Sequence, residues 1–161
     1  RARSLHQRQP LGAIAVDYVQ ILQAGDLVSS QARADQKIAA VVTRLKWLAK
    51  ELGIPVIAVA QLNREVDKRT DKRPHMSDLR EAGQIEQDAD VIAFVYREEE
   101  YEPETPRQGI AEVIVRKQRN GPSGTAFLTF LGEYQAFEDM AGAVPEAMPA
   151  NVKGAHKAME Y

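Results

Sequence analysis

The sequence predicts an α/β fold built on a mostly parallel sheet, with a β-hairpin towards its C-terminal end. Three observations predict it. Two short apolar runs, Leu11–Val16 and Pro55–Ala60, flank a long amphipathic helix pattern, as in a strand–helix–strand crossover unit. Each run ends on a polar residue, Asp17 and Gln61, as strands do when their carboxyl ends face a ligand crevice. Two further strand-like runs, Ile110–Arg116 and Thr125–Leu131, are separated by the turn formers of Lys117–Gly124.

Taken in order, Arg1–Pro10 is basic and polar and reads as the end of a helix or a linker. Leu11–Val16 is short and almost continuously apolar, the pattern of a buried parallel strand. Gly25–Arg33 is a polar connection. The helix follows: Ile38, Val41, Val42, Leu45, Leu48 and Leu52 recur with a period near 3.6 and form one apolar stripe. Gly53 stands at the C-cap position with Pro55 beyond it. After the second strand, Asn63–Pro74 is a charged loop. Ser77 is a candidate N-cap for a short helix through Leu79 and Arg80, broken or bent at Gly83. Asp90–Tyr96 is a third strand and Glu98–Gln108 an acidic surface loop. Tyr134–Glu138 is a candidate edge strand. Residues 1–139 are expected to form the folded part. Residues 140–161, rich in Ala, Gly and Pro, are expected to be a flexible tail.

Composition narrows the function classes. The 161 residues suffice for a domain with a core, and 44% hydrophobic with 27% charged residues is ordinary for a globular protein. A formal net charge of -2 excludes a uniformly basic nucleic-acid binder, so phosphate contacts must come from local clusters of Lys and Arg. Cysteine is absent, which removes disulfides and thiolate metal sites. The three histidines, His6, His75 and His156, lack metal-ligand spacing. Apolar runs are too short to cross a bilayer, and a cytoplasmic location is expected.

Each candidate site has a plain alternative. Asp17 at a strand tip suits support of Mg²⁺ in a nucleotide-hydrolysing motor, but Asp also simply begins turns. Gln61 at the next tip suits sensing a γ-phosphate, or merely leaves a strand. Two polar tips on successive strands favour a shared crevice. Lys117 and Arg119, two residues apart on an extended segment with Gln118 between, can grip phosphates or protect a sheet edge. Arg80, Glu81 and Gly83 can meet a phosphate or form a helix end. Arg64–Arg73 is either a solvated loop or the lining of a single-strand channel.

The wording of these segments resembles one family. Val16-Asp17-Tyr18-Val19-Gln20, Gln61-Leu62-Asn63-Arg64, Asp71-Lys72-Arg73-Pro74, Ser77-Asp78-Leu79-Arg80-Glu81, Ile85-Glu86-Gln87-Asp88-Ala89-Asp90 and Lys117-Gln118-Arg119-Asn120-Gly121-Pro122 resemble replicative DNA helicases of the DnaB type. The resemblance covers roughly residues 11–139, and Ala82 and Gln84 depart from it where Ser is more usual. It implies the C-terminal part of a RecA-like P-loop motor: a homo-hexameric ring that uses ATP and Mg²⁺ to move along single-stranded DNA in replication. Primase and a helicase loader are the expected partners. Asp17 would be the Walker B acid holding Mg²⁺, and Gln61 the sensor. Arg80, Glu81 and Gly83 would lie on a DNA-binding loop. Lys117, Gln118 and Arg119 would meet the γ-phosphate of the neighbouring subunit's ATP, with Arg119 as a catalytic finger. Tyr96 and Arg97 would lie near the same crevice without an assigned role. No G-x-x-x-x-G-K-[ST] occurs in the 161 residues. The phosphate-binding loop and catalytic glutamate are therefore expected upstream of Arg1, and this stretch by itself is expected to hydrolyse no ATP. The alternative is a short DNA-binding or ring-assembly module without ATPase activity.

Overall fold

The computed structural model describes residues 1–79 and 82–146; Arg80, Glu81 and residues 147–161 lie outside the described residues. The chain divides into two compact units.

The first unit comprises Arg1–Asn63 and Met76–Ala89. Helix α1 (Ala2–Arg8) leads to strand β1 (Ile14–Val16), and helix α2 (Ala34–Leu52) crosses to strand β2 (Val56–Ala58). The strands pair in parallel, Ile14 with Val56 and Val16 with Ala58. Parallel pairing needs a crossover of this length, and α2 supplies it. Its stripe faces inward: Ile38 and Val41 are buried, and Val42, Leu45, Leu48 and Leu52 are half-buried. Gln36 closes the first turn by accepting the Arg33 N–H at 3.1 Å, and Gly53 ends the helix at φ 65, a left-handed cap that suits glycine. Val19, 1% exposed, lies just past the β1 tip.

Helix α3 (Ala82–Asp88) completes this unit. The expected helix starting at Ser77 is not there. Met76–Asp78 is a single 3-10 turn, and Gly83 lies inside the first turn of α3 rather than breaking a helix. Leu79 instead bridges antiparallel to Leu62, and Asn63 N–H donates to the Asp78 carbonyl at 2.7 Å. The backbone before Arg80 is thus engaged by the strand-like segment after Gln61 and cannot begin a helix there. At its far end α3 is tied to α2, where Thr43 Oγ1 donates to Asp88 Oδ2 at 2.6 Å.

The second unit comprises Arg64–His75 and Asp90–Tyr161, of which 90–146 are described. Strands β3 (Val91–Arg97), β4 (Ile110–Gln118), β5 (Gly124–Leu131) and β6 (Ala136–Asp139) form an antiparallel meander in chain order. The expectation of a mostly parallel sheet is corrected here: among the described strands only β1 and β2 are parallel. The connections after β3, β4 and β5 contain no crossover helix, and such short returns bring each strand back antiparallel. Ile92, Phe94, Tyr96 and Ile114 form the buried face.

Two arginines and two glutamates close that face. Glu112 on β4 and Glu98 beyond β3 are 4% and 6% exposed. Arg73 donates to Glu112 at 2.6 Å and 3.0 Å and to Glu98 at 3.2 Å, while Arg107 donates to Glu112 at 3.0 Å. Thr105 Oγ1 donates to Glu98 at 2.6 Å. The Arg73 guanidinium also lies 4.9 Å from the centre of the Tyr96 ring. Hydrogen bonding to Glu112 holds the Arg73 pKa above the usual arginine range. Isolated buried carboxylates are costly, and this mutual satisfaction is what makes their burial tolerable. The network staples the charged 64–75 segment and the 98–109 loop to the sheet. Arg107 further donates to the Pro145 carbonyl at 2.8 Å, so the first residues after β6 are docked. No described helix is long and apolar enough to cross a membrane.

Candidate functional site

In the first unit the site begins at the carboxyl ends of β1 and β2. Asp17 follows directly after Val16 and is exposed; the Asp17–Tyr18 peptide bond is cis. Past the paired residues the backbones stay engaged: Val59 N–H donates to the Val16 carbonyl and Val19 N–H to the Val59 carbonyl, both at 2.9 Å. Two residues after Val59 comes Gln61, also exposed. Gln20 holds it from both sides. Its Nε2 donates to the Gln61 carbonyl at 3.2 Å, and its Oε1 accepts the Gln61 N–H at 3.3 Å. The two sequence-predicted tips therefore stand on neighbouring strands at one edge. The sequence reading gave Gln20 no role of its own, although it closes the Val16-Asp17-Tyr18-Val19-Gln20 segment.

A single exposed carboxylate suits Mg²⁺, which keeps several waters and takes one or two protein carboxylates beside substrate phosphates. The described residues contain no cluster of three or more His, Cys, Asp or Glu that would cage a metal without such phosphates. Asp17 thus fits a Mg²⁺ carried by substrate phosphates.

Gly83 is in the first turn of α3, and Arg80 and Glu81 lie outside the described residues. The charged segment Arg64–Arg73 is largely spent on itself. Lys68 pairs with Glu65 at 2.6 Å, Arg69 donates to the Arg73 carbonyl at 2.9 Å, and Lys72 donates to the Asp67 carbonyl. Tyr96 and Arg97 also have structural employment. Tyr96 is buried and stacks on Tyr101 with centroids 5.8 Å apart, and Arg97 lies 3.9 Å from the Phe130 ring centre while pairing with Glu99 and Glu100.

In the second unit, Lys117 and Gln118 are the last residues of β4 rather than part of the turn. The ladder carries them because Val91 pairs with Gln118 and Ile92 with Lys117. Arg119 is the first residue beyond. It is anchored to the start of β3, its backbone N–H donating to the Asp90 carbonyl at 2.9 Å and its Nη1 lying 3.2 Å from Asp90 Oδ1. Gly121 packs under the Gln118 side chain: a Cβ there would lie 2.7 Å from Gln118 Nε2, so the amide would have to swing aside. The arrangement presents a Lys, an amide and an Arg from one strand end, a set of donors suited to phosphate oxygens.

Residues 1–139 match the family described as DnaB-like helicase C terminal domain. The chain is 46% identical over 140 residues to the replicative DNA helicase DnaC of Bacillus subtilis (strain 168), covering 87% of this chain and 30% of that protein. It is 45% identical over 147 residues to the replicative DNA helicase DnaB of Geobacillus stearothermophilus, covering 91% of this chain and 32% of that one. Among solved structures, one described as an ATPase domain superposes with a TM-score of 0.80 at 40% identity, over 87% of this chain and 49% of that one. A DnaB-like replicative helicase whose structure was described together with its interactions with primase gives the same TM-score, 0.80, at 40% identity, over 86% of this chain and 33% of that one. The chain thus spans about a third of the length of the curated relatives it matches.

Proposed function

This chain belongs to the DnaB-like helicase C-terminal domain family, and from that premise we propose that it is the C-terminal part of an ATP-driven replicative DNA helicase motor. The observation that carries the reading is the pairing of β1 with β2, which sets Asp17 and Gln61 at adjacent strand tips with Gln20 bracketing the second. Ligands of open α/β folds bind outside the carboxyl ends of parallel strands, and both side chains are exposed there.

In this proposal the family's P-loop, absent from these residues, precedes Arg1 and cradles the ATP phosphates. ATP and its Mg²⁺ supply the phosphoryl group and the charge neutralisation of hydrolysis. Asp17 would hold the Mg²⁺ that accompanies the nucleotide. Gln61, its backbone held by Gln20, changes partners when the γ-phosphate leaves and passes that change on through the Leu62–Asn63 segment bridged to Asp78–Leu79. That segment runs directly into Arg80, Glu81 and Gly83, proposed to contact the backbone of single-stranded DNA. Lys117, Gln118 and Arg119 serve the nucleotide of the neighbouring subunit. A head-to-tail ring gives each subunit one such neighbour, and a homo-hexamer is the assembly we propose. Residues 1–139 form the motor portion and 140–161 a tail. Primase is proposed as a partner by similarity to the relative solved with it, and a loader by family resemblance.

The test is strand separation by the full-length protein on a forked duplex. Unwinding is expected to require ATP and Mg²⁺ and to vanish in Asp17→Ala while hexamers still assemble. Unwinding by Asp17→Ala at the wild-type rate, or without ATP, overturns the reading.

A further inference from the structure

The β3–β4 ladder contains an irregularity that decides where the hairpin cations point. From Arg97↔Ala111 to Ala93↔Val115 the register is regular, but the next pair is Ile92↔Lys117. Arg116 is therefore an extra residue on β4, a β-bulge. In an unbroken strand, side chains alternate, and Lys117 and Arg119 would follow Val113 and Val115 on one face. The bulge moves Lys117 opposite Ile92, whose side chain is 7% exposed on the buried face with Phe94 and Ile114. Arg119 then falls opposite Asp90 on that same side.

Asp90 holds Arg119 at two points, by its carbonyl on the Arg119 N–H at 2.9 Å and by Oδ1 near Nη1 at 3.2 Å. The two side chains are 51% and 56% exposed, and an ion pair that open to solvent adds little to stability. Its effect falls instead on the direction of a long side chain, which otherwise samples many rotamers. A guanidinium carries five N–H donors, so a pair through Nη1 is compatible with a phosphate contact by the same group.

We propose that Asp90 is a positioning residue for Arg119: the Arg116 bulge selects the face, and the Asp90 carboxylate fixes the aim of the guanidinium at the neighbouring subunit's nucleotide. The proposal rests on the reading of Arg119 as a cation acting on that nucleotide. Asp90 touches no reacting atom in it and works only through Arg119.

The test is a double-mutant cycle in the full-length hexamer with Asp90→Asn, Arg119→Ala and both together. Asparagine keeps the size of the side chain and the backbone carbonyl, so the ladder contact survives while the ion pair to Arg119 is lost. Asp90→Asn is expected to lower kcat about tenfold, the scale of a slightly misplaced catalytic group. The KM for ATP should stay within about twofold, since losing an interaction made only in the transition state lowers kcat and kcat/KM equally. In the Arg119→Ala background, Asp90→Asn should add nothing, and Asp90→Glu should restore part of the loss in the wild-type background. Four results overturn the proposal: wild-type kcat in Asp90→Asn; a rise in kcat, which makes Asp90 a competitor of the phosphate; an equal loss with and without Arg119; and a loss accompanied by fewer hexamers. Wild-type turnover in Arg119→Ala alone is a different outcome, which removes the underlying reading as well.

Discussion

Gln20 and Gln61 are joined by a reciprocal pair of hydrogen bonds in which one side-chain amide satisfies both backbone groups of the other residue, at 3.2 Å and 3.3 Å. Both bonds are exposed and at the long end of the N–H···O range, so their contribution to stability is modest, about 1 kcal/mol or less each. Their consequence is geometric: the Gln61 side chain starts from a fixed backbone. Gln20→Ala in the full-length protein should leave nucleotide affinity unchanged and reduce the stimulation of ATPase by single-stranded DNA severalfold. Turnover measured with and without DNA checks this; undiminished stimulation would show that Gln61 needs no such support.

Arg73 carries the largest stability effect. It serves two buried carboxylates, and Arg107 remains for only part of that work. Removing one partner of a buried ion pair costs about 3–5 kcal/mol because a charge is left uncompensated. Arg73→Ala should lower the denaturant midpoint of the second unit's transition accordingly, whereas Arg33→Ala, whose pair with Asp35 is exposed, should leave it almost unmoved. Equal midpoints for the two variants would contradict the network's structural role.

The Tyr96 phenol titrates late. Burial pushes it up to about 12, Glu98 and Glu112 add to this, and Arg73 opposes it. The folded value lies above the unfolded one near 10, so between them the unfolded chain has lost a proton that the folded chain keeps. The contribution is fully present below pH about 10 and is lost as pH rises through about 12. Stability measured against pH should therefore fall in that window, and Tyr96→Phe should flatten the fall. An unchanged slope in Tyr96→Phe would assign the alkaline loss to other groups.

How far the sequence led is clearest at particular residues. The α2 stripe from Ile38 to Leu52 was legible because one face of a long helix imposes its period on the sequence. The two strands were legible because short apolar runs flank the α2 stripe, although Asp17 and Gln61 after them also read as plain turn residues. Of the antiparallel meander only the β4–β5 hairpin was legible, since β3 reads the same whether its partner runs parallel or antiparallel. The turn formers Asn120, Gly121 and Pro122 drew the hairpin turn too early; pairing with Val91 and Ile92 extends β4 through Gln118. The bulge at Arg116 has no Gly or Pro to mark it. Arg73, Glu98, Arg107 and Glu112 are scattered along the chain, and only folding reveals them as one cluster. The helix expected from Ser77 failed because tertiary pairing of Leu79 with Leu62 outweighed a local capping signal.

The measurement that tests the account most directly is the steady-state ATPase of full-length Arg119→Ala, taken with its nucleotide affinity. Arg119 stands at the end of β4, clasped by Asp90, in the second unit, whereas Asp17 and Gln61 belong to the first. As a finger acting on the neighbour's nucleotide, its loss should depress kcat on the order of 10³-fold or more while ATP affinity and hexamer assembly stay as in the wild type. Turnover at the wild-type level in Arg119→Ala would contradict the account.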